Sequence, residues 1–112
     1  MNKKTLFSKI IDREIPADIV YEDELCIAIR DINPRAPIHI LLIPKKPIIS
    51  LAHLQTEDQH LMGHMMLKLK KIAQQEGLNE HFVTRIHTGE HGGQEVFHLH
   101  IHLMGDPQKS AQ

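Results

Sequence analysis

Residues His98 to Met104 read HLHIHLM, three histidines at alternate positions with aliphatic residues between them. Successive side chains on a β-strand point to opposite faces, so His98, His100 and His102 face one way while Leu99, Ile101 and Leu103 face the other. The aliphatic row packs beneath a helix and pins the register, because a slip of one residue would bury all three imidazoles. The imidazoles are then expected to form a row open to solvent or to a ligand.

Outward from this strand the chain supplies the rest of a sheet. APIHILLIPKKP (36–47) reads as a strand bounded by prolines, and DIVYED (18–23) and LCIAIRDI (25–32) are strand-forming runs joined by an acidic turn around Asp23. These three are expected to form a meander. HFVTRIHTG (81–89) is a fourth strand, GEHGGQEV (89–96) a glycine-containing loop, and FHLHIHLMG (97–105) the fifth strand. TLFSKIIDREIP (5–16) has the spacing of a short amphipathic helix that ends before Pro16. A long helix is the clearest element. Thr56 and Gln59 have capping-box spacing, and Leu61, Met62, Met65, Met66, Leu69, Ile72 and Ala73 recur on one face. Lys68, Lys70 and Lys71 suit its C-terminal dipole, and Gly77 stops it. The sum is an α+β fold, a five-stranded antiparallel sheet with one long and one short helix, the helices being expected on one side. Residues 1–112 fit a single domain, with about 106–112 a polar, frayed tail.

Composition excludes several functions. The net charge is -1, aromatic residues make up 4%, and tryptophan is absent, so neither a nucleic-acid surface nor stacking platforms are expected. Acidic and basic residues interrupt the sequence after Lys3 and Lys4, and no apolar run approaches a membrane span, so no membrane partner is expected. The one cysteine, Cys26, suits a reducing compartment, and a cytoplasmic location is expected. Ten histidines in 112 residues are the unusual feature.

Two chemistries suit an imidazole row. Alternate histidines on a strand can chelate zinc, with His39 or His87 on neighbouring strands as a further ligand. Alternatively, a phosphoryl group lies over the strand. One neutral imidazole then attacks phosphorus, a neighbouring imidazolium protonates the leaving group, and a phosphohistidine splits one displacement into two. The loop GEHGGQ fits the second, since its amides can face an anion and Gln94 can reach phosphate oxygens. His60 and His64, four apart on the long helix, are expected on a solvated face, and His53, His81 and His91 are given no role.

HLHIHLM matches, at all seven positions, the signature of the histidine triad (HIT) family, His-φ-His-φ-His-φ-φ with φ apolar. The resemblance extends through FSKIIDREIP, IVYED, DINPRAPIHILLIPKK and GGQEVFHLHIHLMG in the family's order, and is nearest the Hint branch, which hydrolyses purine nucleoside phosphoramidates. It implies a homodimer whose two sheets join into one, with a purine nucleotide site in each subunit. It implies that His100 is the nucleophile, that His102 contacts the α-phosphate and leaving group, that His98 orients the triad and that His39 packs behind it. Asp31 falls where the family binds the ribose hydroxyls, Leu6, Phe7, Ile10, Ile29 and Ile32 on the base pocket, and His87, Gly93, Gln94, Glu95 and Val96 around the phosphate. No cofactor or metal is implied, since imidazoles and amides supply the charge stabilisation.

Three positions depart from the pattern. His87 stands where Hint proteins usually carry asparagine, so a neutral donor becomes titratable. Glu95 stands where animal members carry serine, and the tail lacks their tryptophan-bearing end. A weakly catalytic nucleotide-binding module, a dinucleoside polyphosphate hydrolase and a zinc-dependent hydrolase are the competing readings.

Overall fold

The computed structural model describes residues 4–110, so Lys3 and the last two residues of the expected tail lie outside the described residues. Strands β1 (Ile19–Glu22), β2 (Cys26–Arg30), β3 (Ile38–Pro44), β4 (Val83–Arg85) and β5 (Ile101–Gly105) form one sheet in the order β1-β2-β3-β5-β4. Every pairing is antiparallel, and β1, β2 and β3 are the expected meander. Helix α1 (Leu6–Ile11) precedes the sheet, α2 (Gln59–Gln75) follows β3, and α3 (Pro107–Ser110) follows β5.

Alternation divides the core in two. Ala28, Ile40, Leu42, Leu99, Ile101 and Leu103 face α2 and pack against its buried Leu61, Met65, Leu69, Ile72 and Ala73. The intervening Ile27, Ile29, Leu41 and Ile43 face the other way and are covered by Phe7 and Ile10 of α1. The helices therefore lie on opposite faces, not on one side as expected. A six-residue helix has too little turn structure to be stable alone, and burial of its apolar pair fixes it here.

Local signals hold with small shifts. Asp58, not Gln59, closes the start of α2, its carboxylate accepting from the Gln55 amide at 2.9 Å, so Thr56 is within a 3₁₀ turn and is not the cap. Met66 is off the buried face and half exposed. Gly77, at φ +80°, takes the left-handed turn that ends the helix. The expected frayed tail is in part a helical turn, with Asp106 Oδ1 accepting from the Gln108 amide at 3.0 Å.

The β1–β2 turn is tied to α2 by one carboxylate. Asp23 accepts from the amides of Leu25 (2.8 Å) and Cys26 (2.9 Å), from the Tyr21 hydroxyl (2.6 Å), and lies 2.7 Å from His64 Nε2. Burial would raise this carboxyl, but the hydrogen bonds from Tyr21, His64 and the two amides outweigh it and hold it well below the carboxylate range. His64 is thus half-buried and engaged, not solvated as expected. Cys26 is fully buried beside it, and burial pushes its thiol up to about 12, which leaves it unreactive.

Candidate active site

The three histidines do not share one strand. Only His102 lies in β5; the last β3–β5 pair is Leu42 with Ile101. Beyond it β3 reaches Pro44, which has no N–H to continue a ladder. The chain before Ile101 bonds differently: Leu99 N–H donates to the Ile48 carbonyl at 2.7 Å, and His98 Nε2 lies 2.7 Å from the Pro44 carbonyl. Alternation nevertheless survives, with Leu99, Ile101 and Leu103 under α2 and the imidazoles on the α1 side.

A carbonyl accepts only, so each of these contacts fixes a tautomer. His98 carries its proton on Nε2, towards the Pro44 carbonyl, and its Nδ1 faces the hydroxyls of Ser8 (3.4 Å) and Thr5 (3.5 Å). At 1% exposure His98 is an interior brace, which corrects the expectation of an open row of three. His100 Nδ1 donates to the His98 carbonyl at 2.8 Å, so its proton is on Nδ1 and its lone pair on Nε2. Phe7 packs edge-on against the His100 ring with centroids 4.8 Å apart.

His102 is oriented from behind. The Arg35 backbone N–H donates to His39 Nδ1 at 3.0 Å, so neutral His39 is protonated on Nε2. That nitrogen lies 2.9 Å from His102 Nδ1, which must accept, so His102 carries its own proton on Nε2. Asp31 Oδ2 lies 3.4 Å from His39 Nε2 and shares the same proton. Burial lowers the affinity of His39, His98 and His100 for a second proton, and burial together with its neighbours His100, His39 and His87 pushes His102 down to about 4. Burial thus favours the neutral form of all four rings.

The glycine loop is organised differently from expectation. Gln94 is buried, its Oε1 accepting from the Gly89 amide at 2.9 Å and its Nε2 donating to the carbonyls of Ile49 (2.7 Å) and Val96 (3.0 Å). Its amide group holds the loop together and has no donor left for a phosphate. The amides of Gly92, Gly93 and Gln94 also close bonds within the loop, and those of Glu95 and Val96 at its end make none within it. Gly93 has φ +90°, and a Cβ there would stand 3.1 Å from His87 Nδ1. His87 itself donates from Nδ1 to the Gly92 carbonyl at 2.9 Å and meets the His102 ring edge-on at 5.3 Å.

Beside the imidazoles opens a cavity of about 420 Å³, lined by Leu6, Phe7, Ile10, Ile15, Ile29 and Ile32 among other residues, with Asp31 in its wall. Ile32 is 89% exposed and forms the rim. Asp31 Oδ1 accepts from the Asn33 amide at 2.8 Å, which fixes the carboxylate at the boundary between cavity and imidazoles. The sequence pattern names Leu6, Phe7, Ile10, Ile29, Asp31 and Ile32 of this wall but not Ile15, and it misses Thr5, Ser8, Arg35 and Pro44, which act on histidines through small hydroxyls or backbone atoms that no motif reports. Among the described residues, two groups bring three ligand-type atoms within 4.8 Å, Asp23–Cys26–His64 and Asp31–His39–His102, and both are occupied by the hydrogen bonds above.

Fold and site together define an α+β protein with a cluster of imidazoles next to an apolar slot, joined to it through Phe7 and Asp31. Residues 4–112 match the family model described as "Scavenger mRNA decapping enzyme C-term binding". The chain is 60% identical to an uncharacterized HIT-like protein of Synechococcus elongatus over 94% of its length and 92% of that protein. It is 50% identical to the purine nucleoside phosphoramidase of Escherichia coli K12, over 94% of this chain and 89% of that one. A crystal structure of a HIT family hydrolase from Legionella pneumophila superposes with a TM-score of 0.88 at 44% identity, covering 91% of this chain and 92% of the other. The chain belongs to the histidine triad (HIT) family of hydrolases.

Proposed function

We propose that this protein hydrolyses purine nucleoside 5′-phosphoramidates, or related acyl-nucleotides, to the nucleoside monophosphate through a nucleotidyl-His100 intermediate. The observation that carries the reading is the His100 tautomer. With Nδ1–H held by the His98 carbonyl, the Nε2 lone pair is free to attack phosphorus at the end of the apolar cavity. The 50% identity to a protein named purine nucleoside phosphoramidase supports the substrate class.

In this reading the base lies between Leu6, Phe7, Ile10, Ile29 and Ile32, and the Asp31 carboxylate accepts from the ribose hydroxyls. The amides of Glu95 and Val96 and the outward Nε2–H of His102 donate to the phosphoryl oxygens, where negative charge gathers during transfer. His98 holds His100 through its carbonyl, and His39 holds His102. The carboxylate of Glu95 acts on His100 from the loop, favouring positive charge on that ring as its bond to phosphorus forms.

The reading includes a homodimer joined through the sheet edge. β4 is an edge strand with Val83, Thr84 and Arg85 all exposed, and the adjoining Phe82 is 37% exposed. Sedimentation equilibrium at micromolar concentration tests it.

The central experiment is to trap labelled AMP from an adenosine phosphoramidate and map the modified residue. Label on His100, with turnover abolished and nucleotide binding kept in His100→Ala, is the expected result. Turnover surviving in that variant refutes the assignment, and loss of turnover on exhaustive chelation would move the protein to the zinc class.

A further inference from the structure

We propose that the cleft lined by Arg35, Arg85 and Lys109 binds an anionic group on the leaving portion of the substrate, and so selects which phosphoramidates are cleaved. The proposal rests on the phosphoramidase reading above.

Strand register places the cleft. Arg85 of β4 stands opposite His102 of β5, and Val83 stands opposite Met104. Residues paired directly across an antiparallel ladder point to the same face, and positions two apart on one strand share it. Arg85, Val83 and Met104 therefore lie on the face that carries His102. His39 of β3 pairs with Met104 and belongs to the same face. The cleft, of about 330 Å³, is built over these β4 and β5 residues. The apolar cavity lies on the other side of His39 and His102, between Ile29 of β2 and α1. Across the sheet the order is apolar cavity, imidazoles, cationic cleft.

That order suits the direction of departure. A leaving group exits phosphorus roughly in line with the incoming nucleophile and opposite to it. The rings of His100 and His102 are 5.1 Å apart, and Met104 follows on the same face of the strand. A leaving portion driven away from His100 thus passes His102 towards Met104 and the cleft.

The charges of the cleft are left unmatched by the fold. Of the four arginines in the chain, Arg13 pairs with Glu22, and Arg30 forks onto Glu76 at 2.8 and 3.2 Å. The other two, Arg35 and Arg85, line the cleft. Among the described residues neither they nor Lys109 forms an ion pair, and all three are exposed. Asp106, the one carboxylate in the lining, accepts from the Gln108 amide at 3.0 Å, which leaves three cations around one anion. Guanidinium groups grip carboxylates and phosphates through paired, charge-assisted hydrogen bonds, and a concave wall concentrates their field. Burial and the Arg35 charge both disfavour a proton on His39, against Asp31, which favours one, so the field of the cleft reaches the imidazoles. A dimer joined along the β4 edge pairs backbone groups and does not call on the Arg85 side chain.

The test measures kcat/KM for AMP joined through a P–N bond to 4-aminobutyrate, to 2-aminoethyl phosphate or to the neutral 4-aminobutanamide. Wild type should favour an anionic leaving group over the neutral one about tenfold, the scale of a charge-assisted hydrogen bond. The two charged substrates tell a carboxylate from a phosphate as the group held, and a preference for either supports the cleft. In Arg85→Gln/Lys109→Gln the preference should fall to about twofold, while the neutral amide stays within about twofold of wild type. Retained turnover of the neutral amide also certifies the fold of the variant. A preference that survives both substitutions, or an equal fall with all three substrates, overturns the proposal. Turnover of none of the three by wild type overturns the phosphoramidase reading and the proposal with it; wild-type turnover without charge preference removes only the role of the cleft.

Discussion

His39 Nε2 lies 2.9 Å from His102 Nδ1, so the proton on one ring decides the tautomer of the other. The chain of donors begins at a backbone amide, that of Arg35, whose hydrogen is fixed whatever the pH. A side-chain donor in its place would titrate or rotate.

His39→Ala should therefore lower nucleotide transfer about 100-fold, the scale of a misplaced catalytic group, while leaving nucleotide affinity nearly unchanged. Loss of the partner lets His102 take either tautomer and rotate. Single-turnover rates against equilibrium nucleotide binding separate the two effects, and a parallel loss of both would assign His39 to packing alone.

Stability should fall on mild acidification. His39, His98, His100 and His102 all bind a proton less readily folded than unfolded, where the ordinary value is 6.5. Below that value the unfolded chain takes up protons that the folded one refuses, so stability is complete above about pH 6.5 and is lost as pH falls towards 4. Each such imidazole contributes a slope of at most about 1.4 kcal/mol per pH unit. Urea midpoints between pH 7.5 and 5 should decline smoothly, and a flat profile would contradict the burial of these rings.

Gly93→Ala should reduce activity more than stability. The backbone there has φ +90°, and the new methyl would press on His87 Nδ1 from 3.1 Å. Left-handed strain costs about 1 kcal/mol, whereas the displaced ring shifts against the imidazole of His102, which it meets edge-on. The prediction is a modest drop in melting temperature with at least a tenfold loss of rate, read on the purified variant.

Asp23→Ala should do the reverse. Removing the carboxylate leaves the Tyr21 hydroxyl, His64 and the amides of Leu25 and Cys26 without their acceptor, at a cost of about 2–4 kcal/mol. The urea midpoint falls at constant m-value, and turnover of the protein still folded should match wild type.

Much of the fold is legible in the sequence because it depends on periodicity. The alternation from Leu99 to Leu103 and the apolar stripe of α2 name each other's partners through spacing alone. The cavity wall is legible through the family signature. What stays hidden depends on single atoms. Gln94 looks like a phosphate ligand in a glycine loop, yet all its amide hydrogens and its oxygen serve that loop, because a buried amide must be satisfied locally. His98 looks exposed by alternation, yet β3 ends at Pro44 and its carbonyl draws the ring inward. The side of the sheet taken by α1 is equally unreadable, since Phe7 and Ile10 suit either apolar face.

The hydroxyls of Thr5 and Ser8 and the ring of His98 stand 93 and 90 positions apart along the chain and within 3.5 Å in space. A polypeptide emerging from the ribosome thus passes through nearly its whole synthesis before the ring that its first helix will meet exists. A product terminated before His98 carries none of the three imidazoles, which arrive in and just before the last strand of the sheet.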